Sequence, residues 1–317
     1  MKVKRTRLET ELTKGDISLN VKKRNLPFLL LSFVIIVFYS ILWYAYYKDL
    51  TNAFIFVGAI LVGLVITLIS LFIYRNDKSK IGKLSWITII LALLLCFEIR
   101  LLWYESYTYT ASFHSNPIEA FDNSGINLMF VRTFDIEYVE DEELIIKSLQ
   151  QENLDIIDLY KLNNKIRYGS KNNELLQLLR IQKDSFSTMA ENVKRYLRDD
   201  TSSINEFLNS NDISGDSAGL GLALTGLIAQ GKLENDLTFG VTGTLNATGD
   251  VNSIGMIKEK LLIAEEEAYP FMIIPSENAA EASEVKVAQN LNLEIFDVNH
   301  INQAIIIIKE LNEEHSK

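Results

Sequence analysis

Cysteine and histidine are nearly missing from this sequence of 317 residues, which has one cysteine and three histidines. Because the single cysteine, Cys96, lies within an apolar run, the sequence predicts no disulfide, no cysteine nucleophile and no thiolate zinc site. The histidines are His114, His300 and His315. We therefore expect no bound metal and no cofactor, and a hydrolase built on this chain would have to activate its nucleophile without histidine.

Long apolar runs, by contrast, fill the first third of the chain, at residues 26–47, 53–74 and 84–104. Each run is long enough to cross a hydrocarbon core of about 30 Å as a helix. Aromatic residues cluster at the ends of these runs, as is typical of membrane interfaces. The sequence therefore predicts three transmembrane helices within residues 26–104.

Lysine and arginine are unevenly distributed around these runs. They crowd residues 1–25 and the second short loop, whereas the first loop has only Lys48. Cytoplasmic segments carry the excess of basic residues, and the first run is too long for the apolar region of a cleaved signal peptide. We expect a multi-pass protein of the cell membrane, with a cytoplasmic basic leader at 1–25 and all residues after 104 outside the cytoplasm.

Residues 105–317 are strongly acidic, with 17 Lys and Arg against 35 Asp and Glu, a net charge of −18. Phosphate backbones and anionic headgroups repel such a surface. The membrane contact is therefore expected through the apolar runs alone, and nucleic acid is not an expected partner.

The region after the apolar runs has two parts. Residues 105–200 begin with a polar linker, continue with an apolar strand pattern at 126–134, and are mainly helical and polar at 141–197, with a turn at 169–173. In residues 201–317, helix patterns alternate with strand patterns. Helices are predicted at 217–230, 256–268, 278–289 and 301–311. Strands are predicted at 237–242, 271–275 and 293–298, and a hairpin at 245–251. This alternation predicts an α/β (α+β) domain at 201–317.

The segment Gly215-Asp-Ser217-Ala-Gly219 is the first candidate for chemistry. Ser217 opens a predicted helix, where free backbone N–H groups and the positive end of the helix dipole can stabilise an oxyanion. The alternative is structural, because Asp216 or Ser217 could simply be the N-cap of that helix. The motif alone leaves both interpretations open.

A lysine can be the base for such a serine, since a Ser-Lys pair needs neither histidine nor metal. The helix predicted at 256–268 offers Lys258 and Lys260. At about 100° per residue, Lys260 lies roughly 60° from the apolar centre at Ile257, whereas Lys258 lies roughly 100° away on the other side. This arrangement favours Lys260 as the buried amine and Lys258 as a solvated charge.

These residues belong to a series of landmarks, namely Gly215-Asp-Ser217-Ala-Gly219, Val241-Thr-Gly-Thr244, Gly249-Asp-Val251, Ile254-Gly-Met-Ile-Lys-Glu-Lys260 and Ile273-Ile-Pro275. In order and spacing, the series over residues 205–311 resembles the proteolytic domain of Lon. The resemblance implies that Ser217 is the nucleophile, that Lys260 is the base, and that Thr242 positions the lysine amine by a hydrogen bond. Gly215 and Asp216, from the motif of the nucleophile, are expected to support the site.

The chain is also similar to exported Lon-like proteases of Gram-positive bacteria, but it departs from them in three respects. No stretch between residues 197 and 217 is long enough for a PDZ domain, three apolar runs replace a single anchor, and Met256 replaces the second glycine of the family's G-G-x-x-x-K pattern. No Walker A sequence, G-x-x-x-x-G-K-[ST], occurs either. We therefore expect neither a PDZ domain nor an ATPase domain.

Other serine hydrolase patterns fit less well. Gly215-x-Ser217-x-Gly219 also satisfies the nucleophile elbow of α/β-hydrolases, and Asp297 and His300 follow in the required order. That elbow needs a hydrophobic strand immediately before it, however, and residues 205–214 are polar. A trypsin-like motif would have glycine at the position of Ala218.

The sequence thus predicts a membrane-anchored, ATP-independent serine endopeptidase with a Ser217–Lys260 dyad, which cleaves exported or misfolded proteins or peptides outside the cytoplasm. Analogy with Lon rings makes a homo-oligomer an additional expectation. The alternative from another class is a catalytically inactive Lon-like module that binds peptides or acts as a sensor on the same anchor. The joint presence of Ser217, Thr242 and Lys260 favours the enzyme.

Overall fold

A computed structural model of the chain describes residues 32–152, 154–198, 200–210 and 214–316. The helices are α1 (Ser32–Tyr47), α2 (Ala53–Ile73), α3 (Lys78–Glu98), α4 (Leu101–Tyr104), α5 (Glu142–Gln151), α6 (Asn164–Leu178), α7 (Ser185–Tyr196), α8 (Asn205–Leu208), α9 (Gly219–Ala229), α10 (Ile257–Glu266), α11 (Ala279–Gln289) and α12 (Ile301–His315). The strands are β1 (Tyr107–Phe113), β2 (Ile118–Glu119), β3 (Ile126–Leu128), β4 (Arg132–Glu137), β5 (Ile156–Lys161), β6 (Phe239–Val241), β7 (Thr244–Leu245), β8 (Val251–Asn252), β9 (Phe271–Pro275) and β10 (Glu294–Val298). The predicted leader at 1–25 lies outside the described residues.

The chain forms two compact units, one of Met1–Thr108 with Leu162–Asn173 and one of Tyr109–Lys161 with Glu174–Lys317. The first unit contains the apolar helices together with the first part of α6. The second contains all the candidate site residues. The predicted domain limits at residues 104 and 200 are not tested by this division and stay predictions.

Two helices of the first unit are long and apolar enough to span a membrane, Ala53–Ile73 and Lys78–Tyr104. Their apolar side chains are largely exposed, and Phe72, for example, is 72% exposed. α1 is shorter, and residues 26–31 of the first predicted run lie outside the described residues. Two of the three predicted spans therefore have a helix of sufficient length, and the third stays a prediction.

A buried ion pair joins the end of α3 to α6 within the first unit. Lys171 Nζ lies 2.6 Å from Glu98 Oε2, and both side chains are fully buried. The Tyr168 hydroxyl donates a hydrogen bond of 3.1 Å to the other oxygen of Glu98. The ammonium of Lys171 also lies over the rings of Phe97 and Tyr168, at 4.1 and 4.2 Å from their centroids. Each buried charge thus has an opposite charge and further polar contacts.

Removal of one member of this pair should leave the other buried and uncompensated. We expect Glu98→Ala to lower the free energy of unfolding by about 3–5 kcal/mol, as is usual for a broken buried pair. The measurement is thermal unfolding of the purified chain in detergent. The double variant Glu98→Gln/Lys171→Met removes both charges but keeps an acceptor for Tyr168, so it should recover most of the loss. Equal destabilisation by the single and double variants would contradict this account.

The second unit is built on a five-stranded sheet in the order β10-β9-β6-β3-β2. The first four strands are parallel, and β2 pairs antiparallel with β3. A three-stranded sheet, in the order β4-β1-β5, and the hairpin β7-β8 are also present. Because helices and strands alternate from α9 to α12, the prediction of a mixed α/β domain is confirmed, and so is the predicted hairpin.

Helices cover both faces of the central sheet. Successive residues of a strand face opposite sides, so the strands contribute to two separate clusters. Phe239, Val241 and Ile273 pack with α9 and α12 in one buried cluster. Met272 and Ile274 pack with α10 and α11 in another. The two helices that carry the candidate motifs, α9 and α10, therefore lie on opposite faces of the same sheet.

α9 packs closely against β3 and against Leu197, the residue that follows α7, because its glycines have no side chain. A Cβ on Gly221 would lie only 2.3 Å from Leu128 Cδ2, and a Cβ on Gly226 only 2.4 Å from Leu197 Cδ1. The helix predicted at 217–230 is confirmed, and most of its residues are buried. The helix begins at Gly219, two residues later than predicted.

The segment predicted as mainly helical at 141–197 contains α5, α6 and α7, but the unpredicted strand β5 interrupts it and pairs antiparallel with β1. Two other predictions from local pattern are wrong. Residues 169–173, predicted as a turn, lie inside α6. The single strand predicted at 126–134 is divided between β3 and β4, which belong to different sheets. In each case, pairing or packing with a distant part of the chain overrides local propensity.

Candidate active site

Ser217 lies in the turn that precedes α9. The N-cap residue of α9 is Ala218, and no side chain caps this helix end. The interpretation of Asp216 or Ser217 as a simple N-cap is therefore wrong. Ser217 is half-buried, and among the described residues its hydroxyl has no hydrogen-bond partner. The hydroxyl is thus left available for another purpose.

The backbone of the Ser217 turn is attached to the segment that follows β6. Gly243 N donates a hydrogen bond of 2.8 Å to Ser217 O, and Leu220 N donates one of 2.9 Å to Gly243 O. A Cβ on Gly243 would lie 3.0 Å from Val251 Cγ1, so this close approach favours glycine. Thr242, which precedes Gly243 in the landmark Val241-Thr-Gly-Thr244, is thereby placed beside Ser217.

Thr242 connects Lys260 to Ser217 through its hydroxyl group. Lys260 Nζ donates a hydrogen bond of 3.1 Å to Thr242 Oγ1, which in turn donates one of 3.2 Å to Ser217 O. Thr242 is fully buried and Lys260 is 4% exposed. The structure therefore brings these three residues together. The Lys260 amine forms its hydrogen bond with Thr242 and not with Ser217 Oγ.

The environment of Lys260 makes its amine less basic. Burial lowers the pKa of Lys260 to about 8, although the nearby Asp216 and Glu259 carboxylates oppose the shift. Burial has this direction because it disfavours the charged form of an amine. An amine with such a pKa is partly neutral near pH 8 and can accept a proton there.

Lys258 differs from Lys260 as the helical arrangement predicts. Its side chain is 35% exposed and forms an ion pair with Asp158. The prediction that Lys260 is the more buried of the two lysines is confirmed. Lys258 is not simply solvated, however, because β5, which the sequence did not reveal, supplies its partner.

Gly215 and Asp216 lie in the same turn as Ser217. Gly215 has a φ of +91°, a left-handed conformation that favours glycine. Asp216 O accepts a hydrogen bond of 3.2 Å from Gly219 N, and the carboxylate of Asp216 raises the pKa of Lys260. Both residues thus shape the surroundings of Ser217 and Lys260.

Met256, at the position of the family's second glycine, is strained. It is the N-cap residue of α10 and has a left-handed backbone with φ 59° and ψ 41°. A residue with a side chain pays about 1–2 kcal/mol in this conformation. The replacement of glycine by Met256 therefore produces backbone strain at the start of α10.

We expect Met256→Gly to stabilise the chain by about 0.5–1 kcal/mol, because the relief of strain exceeds the extra entropy that glycine loses on folding. Urea unfolding in detergent, followed by far-UV circular dichroism, measures the change. Met256→Ala is the matched control, since it shortens the side chain but keeps the Cβ. A gain with alanine equal to the gain with glycine would refute the explanation by backbone strain.

His300, the third residue of the α/β-hydrolase alternative, has a structural role. Its Nδ1 accepts a hydrogen bond of 3.1 Å from Asn302 N and caps the first turn of α12. Within the described residues it makes no hydrogen bond to Ser217, so the structure does not assemble a hydrogen-bonded Ser-Asp-His triad.

Comparisons with known proteins concern the part of the chain that contains these residues. Residues 210–310 match the model of the Lon protease (S16) C-terminal proteolytic domain. The Lon proteases of Rickettsia typhi and Rickettsia prowazekii are each 34% identical to this chain over 91 residues, and that of Rickettsia felis is 33% identical over 91 residues. The aligned part is 29% of this chain and 12% of each relative. A Lon-type proteolytic domain is therefore present, and the chain spans about an eighth of the length of the curated relatives it matches.

Proposed function

We propose that this chain is a serine endopeptidase in which Ser217 is the nucleophile and Lys260 is the general base. The observation that carries the proposal is the hydrogen-bonded series from Lys260 Nζ through Thr242 Oγ1 to the backbone of Ser217. The buried lysine has a pKa of about 8, as a base requires. The match to a Lon-type proteolytic domain over residues 210–310 supports the same assignment.

In the proposed reaction, Ser217 Oγ attacks the scissile carbonyl carbon while neutral Lys260 accepts the hydroxyl proton. The lysine then passes this proton to the leaving amine as the C–N bond breaks, which leaves an ester on Ser217. Water, deprotonated by the same amine, hydrolyses the ester and restores the hydroxyl. Thr242 holds the amine within the site throughout.

The turn before α9 offers donors for the negative charge that develops on the substrate carbonyl oxygen. Among the described residues, the backbone N–H groups of Ser217 and Ala218 donate to no protein acceptor. They lie at the positive end of the α9 dipole. Preorganised donors of this kind stabilise the oxyanion of acyl transfer.

The apolar helices supply a tether in this proposal. Exposed apolar side chains on α2 and α3, such as Phe54 and Leu93, match the hydrocarbon core of a bilayer. The distribution of lysine and arginine favours an orientation in which the protease domain lies outside the cytoplasm. Substrates would then be flexible or misfolded exported proteins or peptides, cut without ATP.

The test is hydrolysis of fluorescein-labelled casein by the full-length chain in detergent micelles, without ATP. We expect turnover that increases between pH 7 and 9. Casein binding without cleavage at any pH in this range would instead favour an inactive peptide-binding module. Size measurements on the same sample would test the proposed homo-oligomer.

A further inference from the structure

The first turn of α10 places a carboxylate, Glu259, beside the proposed base. Glu259 is fully buried, although it lies between Lys258 and Lys260 in the sequence. Glutamate is almost never fully buried without a partner, because desolvation of its charge is costly. Its burial therefore needs an explanation in terms of contacts.

Strand β5 provides these contacts. The Tyr160 hydroxyl donates a hydrogen bond to Glu259 Oε1, and Asp158 pairs with Lys258. Asp158 and Tyr160 are two residues apart on β5, so they lie on the same face of the strand. One face of the three-stranded sheet thus contacts the turn of α10 from which Lys260 projects.

The charges of Glu259 and Lys260 are coupled. Burial raises the pKa of Glu259, Asp158 and Glu281 raise it further, and Lys260 lowers it. Conversely, Asp216 and Glu259 raise the pKa of Lys260 against the effect of burial. Within the described residues, Glu259 Oε2 is buried without a hydrogen-bond partner. Tyr160 is therefore the main polar contact that fixes the orientation of this carboxylate.

We propose that Tyr160 and Glu259 are positioning residues for Lys260, a role that rests on the proposed function. The Tyr160–Glu259 hydrogen bond fixes the first turn of α10 in the rotation that places the Lys260 amine on Thr242. The three-stranded sheet thereby helps to position the proposed base through its contacts with α10. None of the contacts described above joins this sheet to Ser217.

Loss of the tyrosine hydroxyl should reduce turnover without weakening substrate binding. For Tyr160→Phe we expect kcat to fall about tenfold and KM to stay within about twofold, because small displacements of a catalytic group are costly. Tyr138→Phe is the matched control, since Tyr138 is 80% exposed in the same sheet region. Glu259→Ala should cost more, and adding Tyr160→Phe to it should cost nothing further. Additive losses in the double variant would overturn the proposal.

The pKa of Lys260 gives a readout that a merely structural role would not produce. In Tyr160→Phe the Lys260 amine is positioned less firmly on Thr242 and becomes more hydrated. Its pKa should therefore rise. In Glu259→Gln the acceptor for Tyr160 remains but a negative charge beside Lys260 is lost, so the pKa of Lys260 should fall. Tyr138→Phe should leave this pKa unchanged.

The experiment is an NMR titration of the full-length chain after reductive ¹³C-methylation of its lysines, with Lys260 assigned by its absence in Lys260→Met. Shifts in opposite directions for Tyr160→Phe and Glu259→Gln support the proposal. A pKa that is the same in the wild type and both variants overturns it. Because this titration does not depend on turnover, a chain that shows the opposite shifts but no casein hydrolysis would disprove the proposed function alone.

Discussion

Ser217→Ala is expected to lower kcat for casein hydrolysis by at least about 10⁴-fold. Loss of the nucleophile in a serine hydrolase leaves only the contribution of substrate binding and oxyanion stabilisation. Here the loss of activity should be nearly complete, because among the described residues no other hydroxyl near the Lys260 amine could attack a substrate. The Thr242 hydroxyl, which accepts a hydrogen bond from this amine, is fully buried. The measurement is the initial rate at pH 9 with the full-length chain in detergent.

The matched control is Ser214→Ala, which makes the same chemical change three residues earlier at an exposed position. Its rate should stay within about twofold of the wild type. Ser217→Ala should keep the thermal unfolding midpoint of the wild type, since the hydroxyl makes no hydrogen bond among the described residues. Residual activity of Ser217→Ala comparable to that of Ser214→Ala would remove Ser217 from the mechanism.

The sequence could predict those parts of the site that depend on local periodicity. Lys260 was separable from Lys258 because α10 has a regular apolar face centred on Ile257, and that face packs on the sheet. The alternation of helices and strands after residue 217 likewise reflects pairing of consecutive elements, as in the parallel neighbours β9 and β10. In both cases, the pattern of residues close together in the sequence was sufficient for the prediction.

Other features depend on contacts across long stretches of chain. β5 has a mixed pattern and becomes a strand by pairing with β1, and so the partners of Lys258 and Glu259 were not predictable. Gly169 resembles a turn residue, but it lies within α6, which is held by the buried contacts of Lys171. The start of α9 at Gly219 depends on the bonds between Gly243 and the Ser217 turn. No local pattern encodes these contacts.

The site residues and the anchor therefore rest on different kinds of support. The contacts of Ser217, Thr242 and Lys260 are geometric facts within a region that matches a Lon-type proteolytic domain. The proposed membrane anchor is supported by composition and by the exposed apolar side chains of two helices. The chemistry can accordingly be tested by single substitutions, whereas the topology requires labelling of loops on intact cells.

Lys260→Met is expected to lower kcat by about 10³–10⁴-fold, the usual contribution of a general base and its associated proton transfers. Lys258→Met is the matched control, and it should change kcat by less than about threefold because this lysine faces Asp158 on β5. Comparable losses in the two variants would contradict the assignment of the base.

The pH dependence follows from the same amine. Only the neutral form of Lys260 accepts a proton, and its pKa is about 8. The neutral fraction is therefore about one tenth at pH 7 and about nine tenths at pH 9, so kcat should rise roughly tenfold across this range and then level off. A rate that does not change between pH 6 and 10 would exclude a lysine base.

Loss of the Lys260 amine should change folding stability in the opposite direction from activity. The pKa of Lys260 is lower in the folded chain than the ordinary value of 10.5, so the unfolded chain binds more protons between about pH 8 and 10.5. Folding stability consequently rises with pH through that window, and below it the buried charge imposes its full cost. At pH 7, Lys260→Met removes this cost and should raise the free energy of unfolding by on the order of 3 kcal/mol, since the pKa falls from 10.5 to about 8 and each pKa unit is worth about 1.4 kcal/mol. An inactive variant that is more stable than the wild type would show that the lysine is retained for chemistry and not for folding.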